Sequence, residues 1–451
     1  MSTDSSAAAR PILSNRRVLR IAFPIVLSNA TVPILGAVDT GVVGQLGEAG
    51  PIGAVGIGAV TITSIYWAFG FLRMGTTGLV SQAHGEGDRS EVAALLTRGL
   101  MLAWAGGLLL ILLQLPIFAA AFSLSPASAE VESLAAGYLR IRIYSAPFAI
   151  SVYVLTGWLI AQERTAGMLA IQVVMNGVNI LLDLWFVLGL GWGVSGVAVA
   201  TLISEASGAA LGLWLCRAAF RDPAWRDWPR VFDRVRLKHM AVVNTDIMIR
   251  SMLLLSIFTS FMFFGAQFGD VQLAANQVLL QFLHITAYAL DGFAYAAETL
   301  VGQALGARAR PALRRAALLT SGWGGLSCLA MALTFAMAGG PMIDLMTTAP
   351  EVRIAAREFL PWMVIAPLTG CMAWMLDGIF VGATRSRDMR NMMLISASAY
   401  FAAAFLLIPI WGNHGLWIAF HVSFLLRGLT LLARYPALEA AADAPRRADA
   451  G

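Results

Sequence analysis

Four polar residues interrupt an apolar stretch between Ile171 and Leu184: Gln172, Asn176, Asn179 and Asp183. Their spacings of four, three and four put them on one face of an α-helix. A charged Asp in the middle of a bilayer costs at least ~3 kcal/mol, so such a residue faces a protein interior or a water-filled cavity and marks an ion or substrate path. The competing reading for the amides is hydrogen-bond glue between helices. Glue has no need of an ionisable group, so Asp183 carries the stronger signal.

The same reading finds further polar positions in apolar surroundings. Asp39 interrupts the first apolar run, which also holds Pro24 and Pro33. A proline inside a helix removes a backbone hydrogen bond and favours a kink. Pro24 is either a static kink or a hinge that moves with the charge on Asp39. Tyr138 adds a hydroxyl on a fourth run, and Thr201 and Glu205 stand i, i+4 on a sixth. Glu205 is placed by sequence near either the cavity or the arginine-rich end. An eighth run carries Gln277, Gln281, His284, Tyr288, Asp291, Tyr295 and Glu298, alternately four and three apart, again on one helix face. That face lines a cavity or packs another helix. Asp377 stands alone on a tenth run. Asp246 and Arg250 are i, i+4 and are expected to pair with each other.

These residues need long helices to position them. The chain has 451 residues, 58% hydrophobic and 13% charged. Soluble domains carry about twice that charged share. Continuous apolar runs of ~20 residues identify an all-α polytopic membrane protein and exclude a porin-type barrel. Twelve transmembrane spans are expected, near 18–46, 51–83, 92–122, 131–161, 166–190, 193–216, 240–268, 272–305, 311–338, 351–383, 389–411 and 414–434. Arginines cluster in alternate connections, at Arg16, Arg17 and Arg20, at Arg89, at Arg164, along Arg217–Lys238, at Arg308–Arg315 and at Arg385–Arg390. The positive-inside rule places these and both termini in the cytoplasm. Arg353 and Arg357 are the main exception.

The chain also repeats itself. Leu79–Gly85 (LVSQAHG) is echoed by Leu300–Gly306 (LVGQALG), and the segments beginning at Gly157 and Gly378 correspond. The offset is about half the chain, as expected for two pseudo-symmetric six-helix bundles with a cleft between them. The expected division is a cytoplasmic tail over 1–17, an N-lobe over 18–216, a basic linker over 217–239, a C-lobe over 240–434 and a disordered tail over 435–451. The first run is too long for a cleaved signal core and reads as an uncleaved span.

Several function classes fall away. No HExxH, GxSxG or Walker A motif occurs, so neither a common hydrolase nor direct ATP drive is indicated. Cys216, Cys328 and Cys371 have no paired spacing, and the five histidines are scattered. The net charge of +5 lies in loops and carries no nucleic-acid signal. No cofactor is expected. Glu86 and Asp88 sit in a turn and read as solvated.

Longer motifs add a resemblance. Leu290–Arg308 (LDGFAYAAETLVGQALGAR), Asn244–Arg250 (NTDIMIR), Leu376–Arg385 (LDGIFVGATR), Met389–Asn391 (MRN), Phe71–Leu79 (FLRMGTTGL) and Thr31–Thr40 (TVPILGAVDT) resemble the multidrug and toxic compound extrusion (MATE) transporters. Within them the match is to the DNA-damage-inducible protein F subgroup. The resemblance implies a V-shaped twelve-helix antiporter in the bacterial inner membrane, a monomer that exports lipophilic, often cationic drug-like compounds by alternating access. It implies coupling to H+, with Na+ as the alternative, at Asp39, Tyr138, Asn179, Asp183 and Thr201, and a bend at Pro24. Asp39, Asn179, Asp183 and Thr201 would form an oxygen cage suited to Na+. Other MATE branches use a C-lobe carboxylate, so Asp377 ranks second. Gln172, Asn176, Gln281, His284, Tyr288, Asp291 and Glu298 are candidates for the substrate cavity or a secondary site. Two rivals remain. A lipid-linked precursor flippase needs a cationic cavity, for which only Arg73, Arg140 and Arg142 offer themselves. An intramembrane prenyl-transferring enzyme needs Asp-rich metal motifs.

Overall fold

The structure, a computed structural model, describes residues 13–45, 49–124 and 128–443. Among them the regular structure is helical, and ten helices are long and apolar enough to cross a membrane. The first of the twelve expected spans is divided into Asn15–Ala30 and Val32–Gly44. The second to sixth are Gly50–Glu86, Arg89–Leu112 with its extension Gln114–Leu124, Ala129–Ala161, Thr165–Gly189 and Gly193–Leu215. The seventh to tenth are Arg234–Ala266, Asp270–Gly306, Arg310–Met346 and Pro350–Gly382. The eleventh and twelfth form one run, Ser386–Ala440, broken at Gly412, where φ is 55° and ψ −132°. Glycine takes that conformation without a Cβ penalty. Twelve spans therefore stand as the sequence indicates.

Local chemistry sets the ends of these helices. The Ser14 hydroxyl accepts from the Arg17 N–H, the Asp88 carboxylate from the Glu91 N–H, and the Asp233 carboxylate from the Arg236 N–H. Each satisfies a donor that the first turn leaves without a helical partner. Asp88 is thus a cap as well as a half-exposed turn residue.

Packing divides the chain into two lobes with one exception. One apolar core joins the second to sixth spans, around Leu96, Val154 and Trp158. A second joins the seventh to twelfth, around Phe261, Phe335 and Trp417. A third holds Val18, Ile21 and Ile25 of the first span together with Leu300, Phe380 and Leu431 of the C-lobe. The first helix therefore packs on the eighth span of the C-lobe as well as on the fifth span of the N-lobe. Gly292 permits the approach, since a Cβ there would lie 2.7 Å from the Ala22 carbonyl oxygen. The second half, Val32–Gly44, contacts the fifth and sixth spans.

Three expectations need correction. The linker over 217–239 is docked and partly helical. The Arg98 guanidinium donates to the Val231 and Arg230 carbonyls, and the Thr97 hydroxyl to the Trp225 carbonyl. The seventh span begins inside that linker, at Arg234. The tail expected to be disordered from 435 instead continues the last helix to Ala440, with Leu438 and Ala442 buried and Arg310 paired to Glu439 and Asp443. Residues 444–451 and 1–12 lie outside the described residues. Finally, Asp246 bonds Arg390 and Ser386, while Arg250 bonds Asp377. Buried charges take the partner that tertiary packing brings closest, and the i, i+4 spacing does not decide it.

Candidate functional site

The fifth span is α-helical to Asp183 and changes to a π-helix over Leu184–Gly189. Single π-helical turns mark functional sites often enough to be informative, and composition gives no sign of them. Asp183 and Asn179 are both fully buried, and Asn176 nearly so. Asn179 donates from Nδ2 to the Thr201 hydroxyl at 3.3 Å, and that hydroxyl donates to the Val197 carbonyl at 2.9 Å. The other amide atom, Asn179 Oδ1, is buried and accepts no hydrogen bond among the described residues. An acceptor in that condition is costly unless a ligand, proton or water supplies the missing partner.

The upper half of the stripe reaches the first span. Gln172 donates to Asn176 Oδ1, Asn176 Nδ2 to the Thr31 hydroxyl, and Thr31 to the Ser28 carbonyl, at 2.9, 2.9 and 2.7 Å. Thr31 is the residue between the two halves of the first span. The helix passes unbroken through Pro24 and is interrupted at Thr31, just before Pro33. Pro33 has no N–H and occupies the start of the next helix, where none is required. Sequence reasoning favoured Pro24 as the bend and overlooked Thr31, whose signal was its place two residues before a proline. The Asp39 backbone lies on Val32–Gly44, but its side chain falls outside the described residues. Tyr138 is buried against Gly58, where a Cβ would collide with its ring.

The other candidates stand elsewhere. Along the eighth span Gln277, Gln281 and His284 are exposed, Tyr288, Asp291 and Tyr295 half-buried, and Glu298 buried. The stripe thus runs down into the seam between the lobes. At its foot Glu298 accepts two bonds from Arg73 of the second span, at 3.0 and 3.3 Å. The same guanidinium sits 3.8 Å from the centre of the Tyr295 ring. Asp291 accepts from Asn29 Nδ2 at 3.1 Å. Asp377 is held between Arg250 and Arg427, the latter at 3.8 Å, far along the chain from the fifth-span stripe. Glu205 resolves to a pair with Arg142, at 2.9 and 3.0 Å. Of the three arginines that a cationic cavity would need, Arg73 and Arg142 are therefore neutralised and Arg140 is exposed.

At the arginine-rich end the repeats form a matched pair of clasps. Gln82 donates across the seam to the Gly382 carbonyl and the Thr384 hydroxyl, at 2.9 and 3.0 Å. Its counterpart Gln303 donates across to the Ala161 carbonyl at 3.0 Å. Glu163 and Thr384, equivalent in the repeat, both have positive φ, 59° and 48°. Only the N-lobe clasp carries charge: Arg17 bonds Glu163 at 3.0 Å and Gln303 at 3.0 Å. The two glutamines were visible as a repeat, but nothing in the sequence says they cross over.

Burial pushes the Glu163 carboxyl up, and the hydrogen bonds and charge of Arg17, with Gln303 and Arg20, outweigh it and hold the carboxyl below the usual range. A depressed carboxylate stabilises the folded state above its unfolded value, and the effect is lost as pH falls through the folded value. Acidification below the ordinary glutamate range should therefore loosen this clasp, with His84 the other titratable group nearby. Thermal melts across that range are expected to show a loss that Glu163→Gln removes. An unchanged pH profile in Glu163→Gln would refute the assignment.

A family model described as MatE matches residues 24–185 and 247–410, one block in each lobe. The chain belongs to the MatE family. DNA damage-inducible protein F of Escherichia coli (strain K12), a relative of this MatE chain, is 38% identical, with 93% of this chain and 92% of that protein covered. A probable multidrug resistance protein NorM of Pseudomonas syringae is 28% identical over 86% and 85%. A crystal structure of a MATE protein in a bent conformation superposes with a TM-score of 0.85 at 19% identity, covering 95% and 97%. The fold of this MatE chain is therefore a multi-pass membrane fold.

Proposed function

We propose that the protein is a cation-coupled antiporter that exports lipophilic, often cationic compounds, with H+ as the coupling ion. The observation that carries the proposal is the buried Asn179 acceptor one helical turn from buried Asp183, at the change from α- to π-helix. Family membership and the multidrug resistance names of its relatives support the class of cargo. The arginine-rich end is the cytoplasmic end by the positive-inside rule. Ion binding at Asp183 and Asn179 changes the stripe, the stripe holds Thr31 through Asn176, and Thr31 joins a helix packed between the lobes to an N-lobe-packed one. Load on the ion site is thereby passed to the seam between the lobes. The hinge in this scheme is the Ala30–Pro33 segment, with Pro24 a secondary bend.

A proton moving inward through ~100 mV releases ~2.3 kcal/mol, enough for a roughly fifty-fold gradient of a neutral cargo. For one-for-one exchange with a monovalent cation the electrical terms cancel, and the pH gradient alone drives transport. In proteoliposomes of the full chain, an imposed pH gradient is expected to drive tetraphenylphosphonium movement without sodium. Movement that follows only a sodium gradient would replace H+ by Na+. Movement with neither gradient would refute antiport.

A further inference from the structure

The carboxylates buried in the spans are not all held alike. Glu205, Asp246, Glu298 and Asp377 each have an arginine partner. Asp291 is instead held by an amide, Asn29 Nδ2 at 3.1 Å. A neutral donor leaves the negative charge in place, whereas an arginine cancels it. Arg73, the nearest guanidinium in the seam, is committed to Glu298 through two bonds.

The position of Asp291 is equally specific. It lies half-buried on the eighth-span stripe, between the exposed Gln281 and His284 and the buried Glu298. Its neighbour Gly292 is where the first span crosses, so Asn29 reaches it from a different lobe-spanning element. Tyr288, one turn up, adds an aromatic ring to the same face, and such rings attract cations. A carboxylate with a neutral partner, one turn from the Tyr288 ring on a face that becomes exposed at Gln281 and His284, suits a lipophilic monovalent organic cation.

We propose that Asp291 is the counter-charge for the cationic part of the cargo, and that Asn29 competes with the cargo for it. The inference rests on the antiport reading for its cargo class and adds the residue that selects it. Asn29 stands two residues before the break in the first span and Thr31 at it, one bonded to Asp291 and the other to Asn176. A shift of that segment driven from the fifth span therefore changes how strongly Asn29 caps Asp291. This links the ion site to cargo release.

The test is equilibrium binding of tetraphenylphosphonium to the full chain in detergent, with no gradient present. Asp291→Asn is expected to weaken binding by about tenfold or more, one lost charge contact between desolvated partners. Asn29→Ala frees the carboxylate and is expected to bind as tightly as the parent or tighter. Asn29→Lys supplies a built-in ammonium and is expected to abolish binding, which keeps the test decisive if Asp291→Asn folds poorly. Binding by Asp291→Asn and Asn29→Lys within twofold of the parent would overturn the proposal, and so would no binding by the parent. Because no ion gradient is applied, these outcomes are separate from failure of antiport itself.

Discussion

Asp377→Asn is expected to lose the fold, while Asp183→Asn keeps the fold and loses ion-driven export. Asp377 stands between two guanidiniums that are nearly removed from water, with side-chain exposures of 10% for Arg250 and 3% for Arg427. Taking away one side of a buried ion pair leaves uncompensated charge and costs about 3–5 kcal/mol. Here two arginines lose the same carboxylate. Melting in detergent should fall sharply, and any loss of transport should track the loss of folded protein. Replacing Asp377, Arg250 and Arg427 together with apolar residues of similar size should restore much of the stability. For Asp183→Asn the polar shape is kept, and only the ionisable group is removed. Normal melting with no gradient-driven tetraphenylphosphonium movement is the expected result. The reverse pattern, a stable Asp377→Asn protein without exchange, would move the coupling group to the C-lobe.

Gly85→Leu and Gly306→Leu are each expected to part the lobes at the arginine-rich end. A Cβ on Gly85 would overlap the Gln303 carbonyl, and one on Gly306 would overlap the Gln82 carbonyl. The neighbouring atoms are backbone, so no rotamer change can make room. Overpacking of this kind costs about 1–3 kcal/mol. It falls on the clasp residues themselves, so Gln82 and Gln303 should lose their cross-seam bonds. Spin labels at the ends of the second and eighth spans should report a wider separation in both variants. Gly322 has open space around it, and Gly322→Leu should leave the distance unchanged. Equal distances in all three proteins would show that the two glycines do not hold the seam closed.

Much of this arrangement is readable from residue patterns, for identifiable reasons. Spans are set by length and apolarity, because a bilayer requires every backbone polar group to be paired within the helix. The stripes on the fifth and eighth spans follow from helical periodicity alone. The clasps at Gln82 and Gln303 were foreshadowed by a repeat, since equivalent positions of two related bundles meet near their shared axis. The pairing of charges was not readable in this way. Asp246 and Arg250 sit one turn apart and still choose partners from other spans. The interruption at Thr31 was not readable for a related reason. A proline shows where a helix is weakened, but Thr31 is bonded from the fifth span, and that neighbour is a matter of packing.

From the chain of residues alone came the membrane class, twelve spans, two related halves, the family resemblance and the acidic stripes. These depend on local periodicity and on transfer from water to lipid, which each segment settles for itself. The tertiary structure decided that the first helix lies against both lobes, that Arg73 answers Glu298, and that Asp291 meets an amide. Those outcomes depend on which buried groups lie within hydrogen-bond reach, a property of helices brought together from distant parts of the chain.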